Sequence, residues 1–160
     1  PMAVVVYNKE LDKWTPGAHA GTFRGNQLAM KAGTIVLNRV SKPDFLADVV
    51  RKGDLIRSRL SELKDKVSII GDIRGKGLMV GTEFVDPKGQ KDCIGSLPAS
   101  GEIAGKVQKL CFENGLIVEK GGRNGAVMRC LCALNITDQD LKKAYEIFEK
   151  CVLKVNEEYK

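Results

Sequence analysis

Val67-Ser68-Ile69-Ile70-Gly71-Asp72-Ile73-Arg74-Gly75-Lys76-Gly77-Leu78-Met79-Val80-Gly81-Thr82-Glu83-Phe84-Val85 decides the fold. Its apolar parts are Ile69-Ile70, Ile73 and Leu78-Met79-Val80, punctuated by Gly71, Gly75, Gly77 and Gly81. The glycines resemble a nucleotide-binding loop only superficially. The order G-x-G-x-x-G is missing, and strand character, not a helix, follows. The stretch therefore predicts two strands joined by a β-turn or bulge.

Working outward, Phe45, Leu46, Val49, Val50, Leu55, Ile56, Leu60 and Leu63 recur at helical spacing as far as Lys66, with Gly53 as an interior weak point. Pro43 sits near the first turn, and Ser41 or Asp44 can cap it. Downstream, Asp86-Pro87-Lys88-Gly89 reads as a turn and Lys91 to Pro98 as an excursion loop. Glu102 to Glu113 reads as a helix stopped by Asn114-Gly115. Leu116 to Val118 is a short strand, Lys120 to Gly125 a turn, and Ala126 to Leu134 a second strand of a hairpin. Thr137 and Asp140 flank a last helix with the stripe Leu141, Ala144, Ile147, Phe148, Cys151, Val152 and Val155. The order after Ser41 is α, β, β, α, β, β, α. It predicts a small α+β domain over 41–160, with helices on a mostly antiparallel sheet.

Residues 1–40 do not belong to that pattern. Ala3 to Tyr7 is a β-branched run that reads as a strand buried on both faces. A polar loop, a small-residue segment from Gly17 to Asn26 and a helix from Gln27 to Val40 follow. Opening on an apolar strand, the chain reads as cut from something longer.

The 160 residues are 43% hydrophobic and 29% charged, which excludes disordered and fibrous classes. No apolar run is long enough to span a membrane, and no signal peptide is visible. Lys and Arg outnumber Asp and Glu by 26 to 20, a net charge of +6. The excess is spread along the chain without aromatic interleaving. That disfavours nucleic acid and fits a soluble surface or anionic small substrates. A stand-alone basic binding or assembly module is the alternative to an enzyme.

Cys93, Cys111, Cys130, Cys132 and Cys151 make an odd set without a C-x-x-C pair. With His19 the only histidine, no metal site is predicted, and free thiols point to a reducing, cytoplasmic compartment. Cys130 and Cys132 face the same way in a strand and read as two buried thiols, with a thiol or metal role the rival. No Ser-His-Asp or Cys-His set can be assembled. Thr22 and the backbone N–H groups of Gly17 to Asn26, leading into a helix, form a weak phosphate cradle; a structural turn is at least as good a reading. Arg129 lies inside an apolar strand and must be paired. Its partner is an internal Asp or Glu, or the carboxylate of a ligand, and spacing leaves both open.

Four stretches carry a resemblance: Pro1 to Tyr7, Pro16 to Met30 with Gly21-Thr22-Phe23-Arg24-Gly25-Asn26 at its centre, Gly71 to Gly81, and Gly115 to Gly125. Together they resemble the C-terminal part of class III (fold type I) aminotransferases, nearest the diaminobutyrate–2-oxoglutarate transaminases. The resemblance implies pyridoxal 5'-phosphate as cofactor, an amino acid and 2-oxoglutarate as substrates, and a homodimer. It implies that residues 1–40 are the tail of the large cofactor domain and 41–160 the small C-terminal domain. Gly21 and Thr22 match the threonine region that reaches the cofactor phosphate of the partner subunit. Arg129 matches the arginine that grips the α-carboxylate, which tips its partner toward a ligand. The Schiff-base lysine lies upstream of Pro1, so no catalytic residue is expected here, the chain alone is expected to be inactive, and it is not expected to bind the cofactor. The family usually has Pro-Pro where this chain has Cys132-Ala133, which puts the aim of Arg129 in question.

Overall fold

A computed structural model describes residues 2–160; Pro1, the first residue of the opening motif, lies outside them. The chain divides after Leu46 into two compact units.

In the first unit, residues 2–7 run without sheet pairing, and Val6 is 91% exposed. The strand expected over Ala3 to Tyr7 is not formed. A β-branched run is only a strand when a neighbour takes its backbone groups, and none does so within this unit. Helix α1 (Gln27–Val40) forms as expected, because the Asn26 side chain accepts the N–H of Ala29 at 2.9 Å and caps it. No residue of α1 is buried.

The second unit is built on an antiparallel sheet of order β1-β2-β4-β3: β1 (Ile70–Lys76), β2 (Met79–Phe84), β3 (Glu119–Gly121) and β4 (Val127–Leu131). The α+β architecture read from the sequence is the one observed. A register irregularity at Gly71 and a two-residue turn at Gly77-Leu78 account for two of the glycines of the deciding stretch. Gly77 has φ +54°, a conformation that favours glycine.

Helices α2 (Pro43–Lys64), α3 (Gly101–Glu113) and α4 (Asp138–Asn156) supply the core. Along β2, Val80, Thr82 and Phe84 are buried while Met79, Gly81 and Glu83 alternate away from them. Phe84 is 0% exposed and meets Phe148 of α4 edge-on, with centroids 6.5 Å apart. Leu63, Ile103, Val107, Cys111, Met128 and Val152 fill the same cluster. A second cluster gathers Ile56, Leu60, Leu78, Val80 and Leu141.

Three boundaries differ from expectation. Helix α2 stops at Lys64 instead of Lys66. The strand expected at Leu116 to Val118 begins only at Glu119. Gly115, at φ +81°, lets its own N–H reach Phe112 O and that of Leu116 reach Cys111 O, so Leu116 serves as the helix stop. Leu116 and Val118 still pack on the core, which produced the strand-like pattern. Strand β4 ends at Leu131, not Leu134: the chain turns at Ala133 to Ile136, and buried Lys52 donates to Ile136 O at 2.7 Å. Lys52 also donates to Asp48 Oδ2 at 2.5 Å, which pairs the buried charge.

At Gly53, helix α2 closely approaches the β1–β2 turn. A Cβ there would lie 2.2 Å from Gly77 O and 2.6 Å from Gly77 C. In an exposed helix, Gly→Ala gains about 1 kcal/mol. Here the sign reverses, and Gly53→Ala is expected to lower stability by about 1–3 kcal/mol in urea unfolding, the usual range for overpacking. A stabilised variant would refute the contact.

Candidate active site

Register places four residues in one cross-strand row: Arg74 of β1, Gly81 of β2, Arg129 of β4 and Glu119 of β3. Side chains opposite each other on a ladder share a face. Arg129 alternates with Met128 and Cys130, which pack into the core, so this row lies on the face turned from the helices.

Both arginines of the row are paired. Arg74 bonds Asp72 and Glu83, each at 2.7 Å. The guanidinium of Arg74 holds the Asp72 carboxyl below the usual carboxylate range. Arg129 donates through Nη2 to Glu119 Oε1. Its side chain is 39% exposed, yet Nε is buried and has no hydrogen-bond partner. A Cβ at Gly121 would lie 3.3 Å from Nη2, so glycine at that position leaves the guanidinium its room.

Glu119 went unseen as the partner of Arg129. Sequence spacing could not choose among the carboxylates. The available signal was the turn between them, since ten residues around a Gly-rich hairpin bring the two positions opposite each other.

Beside the row is a cavity of about 330 Å³. Val80, Cys130, Cys132, Leu141, Tyr145 and Phe148 line it, and Glu119 and Arg129 border it. Burial, with Cys132 beside it, pushes the Cys130 thiol from 9.0 up to about 11. Burial likewise raises Tyr145 to about 12, while its hydroxyl donates to Arg59 O at 2.8 Å.

Gly21 and Thr22 belong to the first unit and Arg129 to the second. Thr22 opens a turn over 22–25 that runs into the Asn26 cap of α1. The N–H of Arg24 donates to Gly21 O at 3.0 Å, that of Asn26 to Phe23 O at 3.2 Å, and Gly25 takes φ +76°. Gly21 and Thr22 are exposed, so the hydroxyl is open to a ligand. His19 lies in the preceding turn, edge-on to Trp14 at 5.7 Å, as a loop residue.

The chain as a whole finds counterparts in known proteins. The family model described as aminotransferase class-III matches residues 1–152. The chain belongs to this family. The diaminobutyrate–2-oxoglutarate aminotransferase of Haemophilus influenzae is 40% identical over 153 residues, covering 96% of this chain and 34% of that protein. The enzyme of the same name from Rhizobium meliloti is 45% identical over 141 residues, covering 88% of this chain and 30% of that protein. Among solved structures, the ornithine aminotransferase of Toxoplasma gondii has a TM-score of 0.70 at 29% identity over 91% of this chain and 31% of its own. The acetylornithine aminotransferase of Elizabethkingia anophelis has a TM-score of 0.68 at 26% identity, over 88% of this chain and 33% of its own.

This class-III aminotransferase chain thus spans about a third of the length of the curated relatives it matches. The class uses pyridoxal 5'-phosphate. Among the described residues no helix is long and apolar enough to cross a membrane, and no group of three or more His, Cys, Asp or Glu could hold a metal ion.

Proposed function

We propose that this chain is the C-terminal part of an aminotransferase that moves an amino group between a diamino or ω-amino acid, such as 2,4-diaminobutyrate, and 2-oxoglutarate. Its share of the site is carboxylate recognition by Arg129 and a phosphate contact from Gly21 and Thr22. The observation that carries the reading is the partly exposed guanidinium of Arg129, in which Nη2 alone is engaged by a carboxylate of the chain. A guanidinium with a donor still free is suited to a second carboxylate, and a planar fork selects that shape over a point charge.

The cofactor is proposed for the full-length protein, and the residues present fit its phosphate at one place. The exposed Thr22 hydroxyl and the turn before α1 offer donors where a helix N-terminus already favours an anion. When bound, pyridoxal 5'-phosphate supplies the electron sink for the amino-group transfer. Arg129 would fix the α-carboxylate and so orient the reacting carbon, and the Glu119 carboxylate beside it would keep the guanidinium from swinging away. Thr22 would reach the cofactor of the partner subunit in a homodimer. Residues 1–40 would be the tail of the large cofactor domain, and 41–160 the small domain. The unpaired Val4 to Val6 and the unburied α1 support that division, since both are apolar surfaces awaiting a partner.

The lysine that holds the cofactor would come from the upstream part of the full-length protein. The purified 160-residue chain, given cofactor, 2,4-diaminobutyrate and 2-oxoglutarate, is therefore expected to form no glutamate above the uncatalysed rate. The full-length protein should turn over. Turnover by the chain alone would overturn the division of labour, and an inactive full-length protein would overturn the substrate assignment.

A further inference from the structure

Glu119 of β3 and Arg129 of β4 are register partners on the sheet face turned from the helices, and both border the 330 Å³ cavity. We infer that Glu119 is a specificity residue for the amino donor: its carboxylate receives the ammonium group of a diamino acid that is not transferred. This role presupposes that Arg129 holds the carboxylate of the same molecule, as proposed for the full-length protein.

The two substrates differ at one point. A diamino acid carries two ammonium groups, one that leaves and one that stays. 2-Oxoglutarate carries none, and the glutamate formed from it carries only the transferred one. A site that takes both substrates in turn through one guanidinium needs a separate group to recognise the ammonium that stays. An anion does this without leaving a desolvated charge unpaired.

Three carboxylates share the face with Arg74 and Arg129: Asp72, Glu83 and Glu119. Two are already taken, since Asp72 and Glu83 each lie 2.7 Å from the Arg74 guanidinium. Glu119 gives only Oε1 to Arg129 Nη2, and among the described residues Oε2 accepts no hydrogen bond. The Glu119 side chain is 49% exposed, so that oxygen is open to a ligand. Gly81 stands opposite Arg129 on β2, and Gly121 lies two residues beyond Glu119 on β3, so neither flank carries a side chain that covers the pair. Because both residues border one cavity, one bound molecule can touch both. A carboxylate on Arg129 and an ammonium on Glu119 close a set of four alternating charges. 2-Oxoglutarate cannot complete that set, so the contact favours the diamino acid alone. Oε1 steadies the guanidinium for both substrates, and Oε2 selects between them.

The test is steady-state kinetics of the full-length Glu119→Gln enzyme. Glutamine keeps an oxygen for Arg129 Nη2 and removes the charge. KM for 2,4-diaminobutyrate is expected to rise about tenfold or more, the effect of losing a charge-assisted hydrogen bond. KM for 2-oxoglutarate, and for glutamate in the reverse direction, should hold within about twofold, because neither uses that bond. An equal rise for both substrates would make Glu119 only a support for Arg129, and unchanged kinetics would leave it outside the site. Either result overturns the assignment. A second measurement needs no substitution. 4-Aminobutyrate has the same skeleton without the second ammonium, and as a competitor of 2,4-diaminobutyrate it should bind the unaltered enzyme about tenfold or more weakly. Equal affinity would also overturn the role of Glu119. The unaltered enzyme separates the two readings. No turnover of 2,4-diaminobutyrate would sink the substrate assignment and this role with it, whereas normal turnover without a selective effect of Glu119→Gln would sink this role alone.

Discussion

Replacing Arg129 by Ala in the full-length protein is expected to lower kcat/KM for 2-oxoglutarate about a hundredfold, chiefly through KM. A charge-assisted hydrogen bond contributes about 1.5–3 kcal/mol, and a two-pronged contact sits at the upper end of that range. Arg129→Lys should recover only part of the loss, because it keeps the charge and loses the fork. Steady-state kinetics with 2-oxoglutarate varied is the measurement. Unchanged kinetics in Arg129→Ala would remove this residue from the site. The sheet should tolerate the change, since the residue is on the face turned from the core and its carboxylate partner Glu119 is half-exposed.

The second large effect is on stability. Phe84 is 0% exposed, its N–H donates to Ala126 O at 2.8 Å, and its ring lies against Phe148. Truncation to Ala removes the transfer energy of the ring and leaves a cavity that α3 and α4 can only partly close. The expected loss is about 3–5 kcal/mol, a large share of the roughly 5–15 kcal/mol that holds a domain folded. Urea unfolding should show a lower midpoint with an unchanged slope. A shift below about 1 kcal/mol would mean that Phe84 is not the centre of the core.

The fold was legible where periodicity and caps agree. Asn26, Thr137 and the Asn114-Gly115 stop each mark a helix end that the structure keeps. Each is a local hydrogen-bonding device that needs nothing from distant residues. The strands were less legible. Ala3 to Tyr7 has strand composition, but pairing is a property of the neighbour, and within its own unit it has none. Leu116 to Val118 shows how a helix stop that packs on the core imitates a strand.

The candidate site divides the same way. The need of Arg129 for a partner was legible from the cost of burying a charge. That Glu119 meets it depends on register, which only the folded hairpin fixes. The cavity beside it was invisible in the sequence, since α2, β4 and α4 each supply one wall. The thiol pair reads as a same-face pair in the sequence, and the two sulfurs do meet, at 3.8 Å, although β4 ends one residue before Cys132.

The central proposal is that Thr22 and Arg129 serve a site completed by residues outside these 160. The mass of the intact protein in its native source tests it most directly. The account predicts roughly three times 17.5 kDa, because the chain covers 34% of the Haemophilus influenzae relative. A native protein of 17.5 kDa would contradict it and leave the arginine row to a function in binding or assembly.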